Sequence, residues 1–388
     1  MFKERVVLTQ LRRLGQASKC DLTAATGISR QTTVDIVNAL ERDRLVMKVG
    51  KRLGRVGQPS ILYAINPASV YGIGLHVARA RQELIVADFA GQICHRKLTT
   101  KPQPYVDDIL ELLSGGLKQI VATGVPRSVI SGVGIALSHE LWCRRTGERQ
   151  KIPLGLLSEW DDRNVASEAS KMLGLPVYLE NDTRAAAMAE YLLGAGREYG
   201  TFLYVSIGPQ ISGALVLAGS LETGAHGKAA TIGAIPVGPS RLAGSERSGN
   251  GGAVLGDRAS LISLIRHLQA NGVNVRDISE LPDLVHESRT LVQEWIEDCI
   301  DALQSAITAC LAVVDVQAVV LNSTLPPMVM MEIAERLERG LKSAEPIGLV
   351  VPQFSLSSLP TDAPLLGSAI LPINANFVPG RDGGPQVA

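Results

Sequence analysis

The sequence lacks the features that define a membrane or a secreted protein. Its 388 residues contain no apolar run of 18 residues, since the best candidate, 306–321, includes Thr308, Asp315 and Gln317. A membrane-spanning helix is therefore not expected. A secretory signal is not expected either, because the segment 2–16 contains five charged residues where an apolar core would be required. We therefore expect a cytoplasmic protein that has no membrane partner.

Cysteine is scarce and its spacing carries no motif. The five cysteines are odd in number, are widely separated and form no Cys-x-x-Cys pair; they are Cys20, Cys94, Cys143, Cys299 and Cys310. This pattern argues against a disulfide framework and against a cysteine-rich zinc site. We therefore predict no metal site and no cofactor.

Net charge is also absent, although the charges are unevenly distributed. Lys plus Arg and Asp plus Glu each number 38, but residues 1–60 contain twelve basic and five acidic residues, a net charge of +7. Such a basic segment is typical of a small domain that meets a polyanion, and a solvated charged face is the alternative. With 46% apolar residues and this length, the chain is expected to form two to three packed domains.

Start and stop signals in the basic segment predict three short helices. An apolar stripe over residues 7–14 indicates the first helix, and Ser18 with Asp21 forms a capping box that opens the second. Gly27 is well placed to end the second helix, and Ser29 to begin the third. This pattern predicts a helix-turn-helix, whose last helix offers its first turn to base edges in the major groove. The candidate base-contacting residues, all expected to be exposed on that turn, are Arg30, Gln31, Thr32 and Thr33.

A β-hairpin is predicted to follow the third helix. Residues 45–49 and 61–65 are rich in branched side chains and flank a glycine-rich, basic turn. Such a wing can neutralise phosphates or enter a narrow minor groove. The candidate DNA contacts in it are Lys51, Arg52, Arg55 and Gln58. We therefore predict a winged helix-turn-helix DNA-binding domain over 1–67, with a winged helix that binds only protein as the alternative.

The remainder alternates apolar strands with helices, which indicates an α/β body over residues 70–378. Its strands are predicted at 129–137, 177–179, 201–207, 214–217 and 318–321, with helices at 107–122 and 183–193 between them. The final segment, 379–388, is expected to be disordered.

Several separated motifs resemble the ROK family of repressors, open reading frames and sugar kinases. They are Leu-Gly-Leu-Pro-Val-Tyr-Leu-Glu-Asn-Asp at 173–182, Tyr-Val-Ser-Ile-Gly at 204–208, Gly-Ala-His-Gly at 224–227 and Leu-Gly-Ser-Ala-Ile-Leu-Pro at 366–372. The resemblance covers nearly the whole chain. It implies a body of two α/β lobes similar to the actin-like ATPase fold, and the N-terminal domain resembles that of the family's repressor branch, which typically senses a sugar.

The sequence departs from the family's kinases in three segments that contact the nucleotide in those enzymes. The first phosphate loop of those kinases reads Asp-x-Gly-Gly-Thr, and His76, Ala78, Arg79 and Ala80 stand at its matching positions here. A Gly-rich second loop is matched by residues 208–214, which include Pro209, and the Gly-rich adenosine turn by residues 322–324. Because phosphoryl transfer depends on positioning and charge neutralisation, we expect no kinase activity.

The sugar site implied by the resemblance is only partly retained. The family's Glu-Asn-Asp motif, whose aspartate takes the proton of a sugar hydroxyl, is matched by Glu180, Asn181 and Asp182. Helix capping is the alternative role for Asn181 or Asp182. The acid and imidazole of a Glu-x-Gly-His motif are replaced, because the matching segment begins with Thr231 and ends with Ala234. His139 lies where family members contact sugar, so the candidate ligand set is Glu180, Asn181, Asp182, His139 and Thr231.

These observations predict a transcriptional regulator that is not an enzyme. We expect a repressor of carbohydrate-related genes that binds double-stranded DNA as a homodimer or tetramer, with a catalytically inactive body that binds a sugar or sugar phosphate. The alternatives are a ROK carbohydrate kinase that uses ATP and a constitutive DNA-binding protein without an effector. The family's structural zinc site is not expected here, because its cysteine ligands are missing: the sequence has no cysteine between Cys143 and Cys299.

Overall fold

The computed structural model describes residues 2–52, 59–78, 81–102, 104–138, 141, 159–160, 162–245, 253–344, 348–359 and 361–379. These residues form two compact units. The first contains the described residues up to Leu193 and those from Asp362 onward, and the second contains Gly194–Thr361. The α/β class predicted from the sequence is confirmed. The boundary at residue 67 stays a prediction, and the tail expected at 379–388 lies, except for Pro379, outside the described residues.

The first unit begins with three helices and a three-stranded sheet. The elements are α1 (Phe2–Leu14), β1 (Ala17–Ser18), α2 (Lys19–Thr26), α3 (Arg30–Arg42), β2 (Val46–Arg52) and β3 (Ser60–Ile65). The sheet order is β1-β3-β2 and both pairings are antiparallel. The core of this winged helix is apolar, with Val7, Leu11 and Leu40 buried in it, and it also includes Phe89 and Ile373 from the body.

The body part of the first unit is a five-stranded sheet with helices. Its elements are β4 (Tyr71–Ala78), β5 (Arg81–Asp88), β6 (Ile93–Thr99), α4 (Val106–Ala122), β7 (Ile130–Leu137), α5 (Val165–Leu173), β8 (Val177–Asn181), α6 (Asp182–Leu193) and, at the end of the chain, α12 (Ala363–Phe377). The strand order is β6-β5-β4-β7-β8, in which β4, β7 and β8 are parallel.

Glycines in the central strands bring α12 close to this sheet. A Cβ atom at Gly72 would overlap the carbonyl oxygen of Ala369, and one at Gly134 would overlap that of Ser368. Only glycine therefore permits this approach of two backbones. The sequence predicted no helix over 363–377, because the side chains of α12 are buried on nearly every side and leave no one-sided apolar stripe.

The second unit repeats the same arrangement of strands. Its elements are β9 (Phe202–Ile207), β10 (Ile211–Leu217), β11 (Ser220–Glu222), β12 (Pro236–Val237), β13 (Ala253–Val254), α7 (Leu255–Arg258), α8 (Leu261–Ala270), α9 (Leu281–Glu287), α10 (Arg289–Leu311), β14 (Ala318–Ser323), α11 (Pro327–Ala344) and β15 (Gln353–Leu356). Its main sheet has the order β11-β10-β9-β14-β15, with β9, β14 and β15 parallel. Three antiparallel strands followed by two parallel ones thus recur in both units.

Candidate nucleic-acid interface and ligand site

Local capping fixes the turn between the second and third helices. The Ser18 hydroxyl accepts from the amide of Asp21 and the Asp21 carboxylate accepts from the amide of Ser18, so the predicted capping box is present. Gly27 ends α2 with φ 68°, in the left-handed region, and Ser29 caps α3 by accepting from the amide of Thr32. The Ser18 amide also holds the pKa of Asp21 below its usual value.

The first turn of α3 presents part of the predicted set to solvent. Arg30 and Gln31 are exposed and Thr32 is half-buried. The Gln31 amide donates to both carboxylate oxygens of Asp35, at 3.1 and 3.3 Å, which holds the side chain along the helix. The exposure predicted for Thr33 is wrong. Its side chain is buried and its hydroxyl donates to the carbonyl oxygen of Ser29, because Thr33 lies on the inward stripe of the helix.

The wing carries exposed basic side chains on an edge strand. Every residue of β2 after Val46 is exposed, including Lys51 and Arg52. The Arg52 guanidinium lies 3.1 Å from one oxygen of the Asp21 carboxylate and 3.3 Å from the other. Arg55 and Gln58 lie outside the described residues.

Two further lysines, which were not among the residues predicted from the sequence, lie on this surface. Lys19 at the start of α2 donates to the Asn38 side chain at 2.6 Å and lies over the ring of Tyr63. Lys48 on β2 is paired with Glu41 at 2.7 Å, and this carboxylate raises the pKa of Lys48. Their membership of the basic N-terminal segment was the only signal in the sequence that could have found them.

The Glu-Asn-Asp motif lies where β8 ends and α6 begins. The Asn181 side-chain oxygen accepts from the amides of Thr183 and Arg184, at 3.1 and 3.3 Å, so the capping role is present. Glu180 is buried and is paired with the Arg184 guanidinium. Asp182 accepts from the amide of Thr183 at 2.7 Å and keeps its second carboxylate oxygen toward His76.

His76 occupies the position that the resemblance assigns to a carboxylate in the kinases. Its Nε2 atom lies 3.6 Å from an Asp182 oxygen and is buried without a hydrogen-bond partner among the described residues. Ser138 directly follows the adjacent strand β7, and its buried hydroxyl likewise lacks a hydrogen-bond partner among the described residues. A hydroxyl group of a ligand could satisfy the Nε2 atom of His76, since buried polar groups are normally hydrogen-bonded.

The remaining candidates of the ligand set belong to the second unit or lie outside the described residues. Thr231 belongs to the second unit, where it is exposed and donates to the carbonyl oxygen of Lys228 at 2.8 Å. His139 lies outside the described residues, as do Arg79 and Ala80.

The turn that matches the second phosphate loop is hydrogen-bonded to the N-terminus of α8. The carbonyl oxygens of Gly208 and Pro209 accept from the amides of Leu261 and Ile262, the first residues of α8, at 2.8 and 3.4 Å. These amides of the helix N-terminus therefore already have acceptors. In the segment that matches the adenosine turn, the Ser323 hydroxyl donates to the carbonyl oxygen of Ile207 at 2.7 Å.

An ion-pair cluster occupies the region that follows the missing zinc ligands. The buried Arg258 guanidinium donates to Asp298 at 2.8 and 3.0 Å, to Asp301 at 2.8 Å and to the carbonyl oxygen of Gly238 at 3.0 Å. These carboxylates raise the pKa of Arg258 against the effect of its burial. Residues 238–245, which precede α7 in the chain, are described, and the bond from Arg258 holds Gly238 to α7. Within the described ranges no group of three His, Cys, Asp or Glu side chains is arranged to hold a metal ion.

Comparison with known proteins decides the family. The model of the ROK family matches residues 72–375. The chain belongs to the ROK family. No helix in the described part of this ROK protein is long and apolar enough to cross a membrane.

Relatives of this ROK protein include regulators and kinases. It is 24% identical over 371 residues to the uncharacterized protein y4fQ of Sinorhizobium fredii, covering 94% of this chain and 88% of that protein. It is 24% identical over 234 residues to the xylose repressor of Bacillus subtilis, covering 59% of each chain. It is 27% identical over 175 residues to the glucokinase of Streptomyces coelicolor, covering 44% of this chain and 51% of that enzyme. The match thus spans about three-fifths of the xylose repressor and half of the glucokinase.

Solved structures show that the fold is that of ROK proteins. A ROK family transcriptional regulator, a homologue of the E. coli MLC protein, superposes with a TM-score of 0.65 at 17% identity, covering 96% of both chains. The ROK hexokinase from Thermus thermophilus superposes with a TM-score of 0.60 at 24% identity, covering 78% of this chain and 97% of that enzyme. The predicted combination of a winged helix with a two-lobed ROK body is confirmed.

Proposed function

We propose that this ROK protein is a DNA-binding transcriptional regulator that represses carbohydrate-related genes, and that its body senses a sugar-like effector without catalysing phosphoryl transfer. The observation that carries the proposal is the winged helix. Its recognition helix exposes Arg30 and Gln31, and its wing exposes Lys51 and Arg52. Arginine and glutamine can form bidentate hydrogen bonds with guanine and adenine, and wing cations can contact phosphates.

The missing phosphate contacts support a body without kinase activity. A magnesium-binding carboxylate is replaced by His76, and Pro209 supplies no amide donor at the second phosphate loop. The first amides of α8 donate their hydrogen bonds to carbonyl oxygens of that loop. Because phosphoryl transfer requires charge neutralisation and backbone donors together, their joint loss would lower the rate by many powers of ten.

The candidate effector site is the polar cluster at the end of β8. Asp182 and the Nε2 atom of His76, which has no hydrogen-bond partner among the described residues, suit a hydroxyl-rich ligand, and the B. subtilis relative is named a xylose repressor. Glu180 and Asn181 support the site through the Arg184 pair and the α6 cap. Thr231 and His139 remain candidate contacts from the resemblance.

The expected assembly is a homodimer or a tetramer. Two recognition helices related by a two-fold axis would contact half-sites about one helical turn apart. An effector that alters the geometry of the body would change the fit of both helices and thus the affinity for the operator.

Selection of bound sequences from a random duplex library tests the proposal. The full chain should enrich one sequence, and Gln31→Ala should relax its base preference at one position of each half-site while costing about 1–3 kcal/mol. Glu111→Ala, on the exposed surface of α4, is the control and should leave the enriched sequence unchanged. If the full chain enriches no sequence at low ionic strength, the proposal is wrong.

A ROK carbohydrate kinase is the competing function, because the glucokinase of S. coelicolor is among the relatives and Asp182 is retained. The purified protein with ATP, magnesium and a panel of hexoses should show no turnover above background. Robust phosphorylation of any sugar would favour the kinase. A thermal-shift screen with the same sugars distinguishes a sensor from a constitutive DNA-binding protein, because a ligand that binds only the folded state raises the melting temperature.

A further inference from the structure

Two arginines of α1 join the winged helix to the body of the first unit. The guanidinium carbon of Arg13 lies 5.2 Å from the centroid of the Tyr191 ring. That of Arg12 lies 4.7 Å from the centroid of the Phe89 ring, and its Nη1 atom donates to the carbonyl oxygen of Phe89. Phe89 in turn contacts Phe377 edge to face, with the ring centroids 5.0 Å apart. Cations and aromatic rings thus contribute to the contact with the body, in addition to the apolar packing of Ile373.

Burial makes this joint specific. Arg12 is only 8% exposed, and the desolvation of its guanidinium lowers its pKa to about 10. A buried cation is unfavourable unless its surroundings replace the lost water, and here the Phe89 ring and carbonyl oxygen and the negative charge of Asp88 partly do so. Because these contacts depend on the position of α1, they favour one orientation of the winged helix relative to α6 and α12.

The helices that meet α1 also lie next to the candidate effector site and to the chain connections with the second unit. Tyr191 lies near the end of α6, whose first residue is Asp182, and Phe377 is the last residue of α12. The two helices pack closely, since a Cβ atom at Gly367 of α12 would overlap the carbonyl oxygen of Ala185 of α6. The chain leaves the first unit after α6 and returns at the start of α12. Changes at either place therefore bear directly on this helix pair.

We propose that Arg13 is a positioning residue and that its contact with Tyr191 couples α6 to the winged helix. Its role in regulating DNA affinity rests on the proposed function, but the coupling itself is independent of DNA. A change in the stability or position of α6 passes to α1 through this contact, and α1 packs against the recognition helix α3.

Amide hydrogen exchange on the full chain, without DNA or ligand, tests the coupling. Ala187→Gly places a poor helix former in the middle of α6, and Ala169→Gly makes the same change in α5, where the alanine is equally buried. Ala187→Gly should speed exchange about fivefold in α6 and in residues 8–14 of α1. Ala169→Gly should speed exchange in α5 and leave α1 unchanged.

The role of Arg13 is isolated by adding a second substitution. In an Arg13→Gln background, Ala187→Gly should still loosen α6 but no longer α1, and Arg13→Lys, which retains a cation for the Tyr191 ring, should restore the response. A general loss of stability would not produce this pattern, because it would raise exchange in both helices in every background.

The coupling is refuted if α6 loosens while α1 does not, or if Arg13→Gln leaves the response of α1 intact. If Ala187→Gly does not fold or leaves α6 unchanged, Asn181→Ala replaces it, because this substitution removes the cap of α6. Its control is Asn164→Ala, which removes the cap of α5. Absence of DNA binding would refute the proposed function and would leave the exchange result unaffected.

Discussion

Removing the two described wing cations should change the salt dependence of DNA binding in a calculable way. Lys51 is exposed and Arg52 has 55% of its side chain exposed, so both are available to phosphates. Each phosphate contact contributes about 0.9 to the slope of log K against log salt. Lys51→Ala with Arg52→Ala should therefore reduce the magnitude of the slope by about 1.8.

The pair between Arg52 and Asp21 does not prevent this contact. Both side chains are at least one-third exposed, at 55% and 35%. Exposed pairs contribute only about 0–1 kcal/mol and are screened by salt. Arg52 can therefore exchange Asp21 for a phosphate at little cost.

Fluorescence anisotropy with the selected duplex measures the effect between about 50 and 200 mM salt. Over that range the unaltered protein should lose roughly tenfold more affinity than the double variant. Lys342→Ala is the matched control, because this exposed cation of α11 is paired with Glu338 and lies in the second unit. Equal slopes for the double variant and the unaltered protein would refute the assignment of these wing residues to phosphate contacts.

Three further substitutions test the structure. Gly72→Ala should destabilise the first unit by about 1–3 kcal/mol in urea unfolding, because the new Cβ atom overlaps the Ala369 carbonyl oxygen. Gly115→Ala on α4 is the control: the new Cβ atom meets open space, and the substitution should stabilise the unit by about 0.5–1 kcal/mol. Equal effects of the two substitutions would contradict the packing of α12. Arg258→Met should destabilise the second unit by about 3–5 kcal/mol in the same assay because it leaves buried Asp298 unpaired, and a cost below about 1 kcal/mol would show that the ion-pair cluster is not formed. Asp21→Asn should destabilise α2 at pH 6, as measured by amide exchange. This loss of stability should shrink as the pH falls below about 4, because a carboxyl group with a lowered pKa stabilises the fold only while it is ionised. A loss of stability that does not depend on pH would contradict the capping box.

The helices of the winged helix could be predicted because their signals are local. The capping box joins Ser18 to Asp21, three residues away, and Ser29 and Gly27 mark ends of helices that the structure confirms. The strand β1 was missed because it has two residues and pairs with Leu62 and Tyr63, more than 40 positions away. Short strands that depend on distant partners leave no periodicity in the sequence.

The buried position of Thr33 was available from the sequence and was overlooked. Thr33 precedes Ile36, Val37 and Leu40 by three, four and seven residues, so it continues the inward stripe of α3. Its polarity suggested an exposed role, but a threonine hydroxyl can bond a carbonyl oxygen of the preceding turn, as it does here with Ser29.

The polar clusters of the body could not be predicted from spacing. Arg258 and Asp298 are 40 residues apart, and His76 and Asp182 are separated by more than 100, so only the folded sheet and helices bring each pair together. The motif at 180–182 was found from the resemblance, and its capping role from the residue type. What the sequence could not provide is which polar atoms remain without partners.

The ratio of affinities for two duplexes tests the central claim most directly. Binding of the full chain to its selected duplex is compared with binding to a scrambled duplex of equal length and composition, at physiological salt. A sequence-reading regulator predicts a preference of at least about 1,000-fold for the selected duplex. Equal affinity for the two duplexes, or no binding to either, would contradict the account.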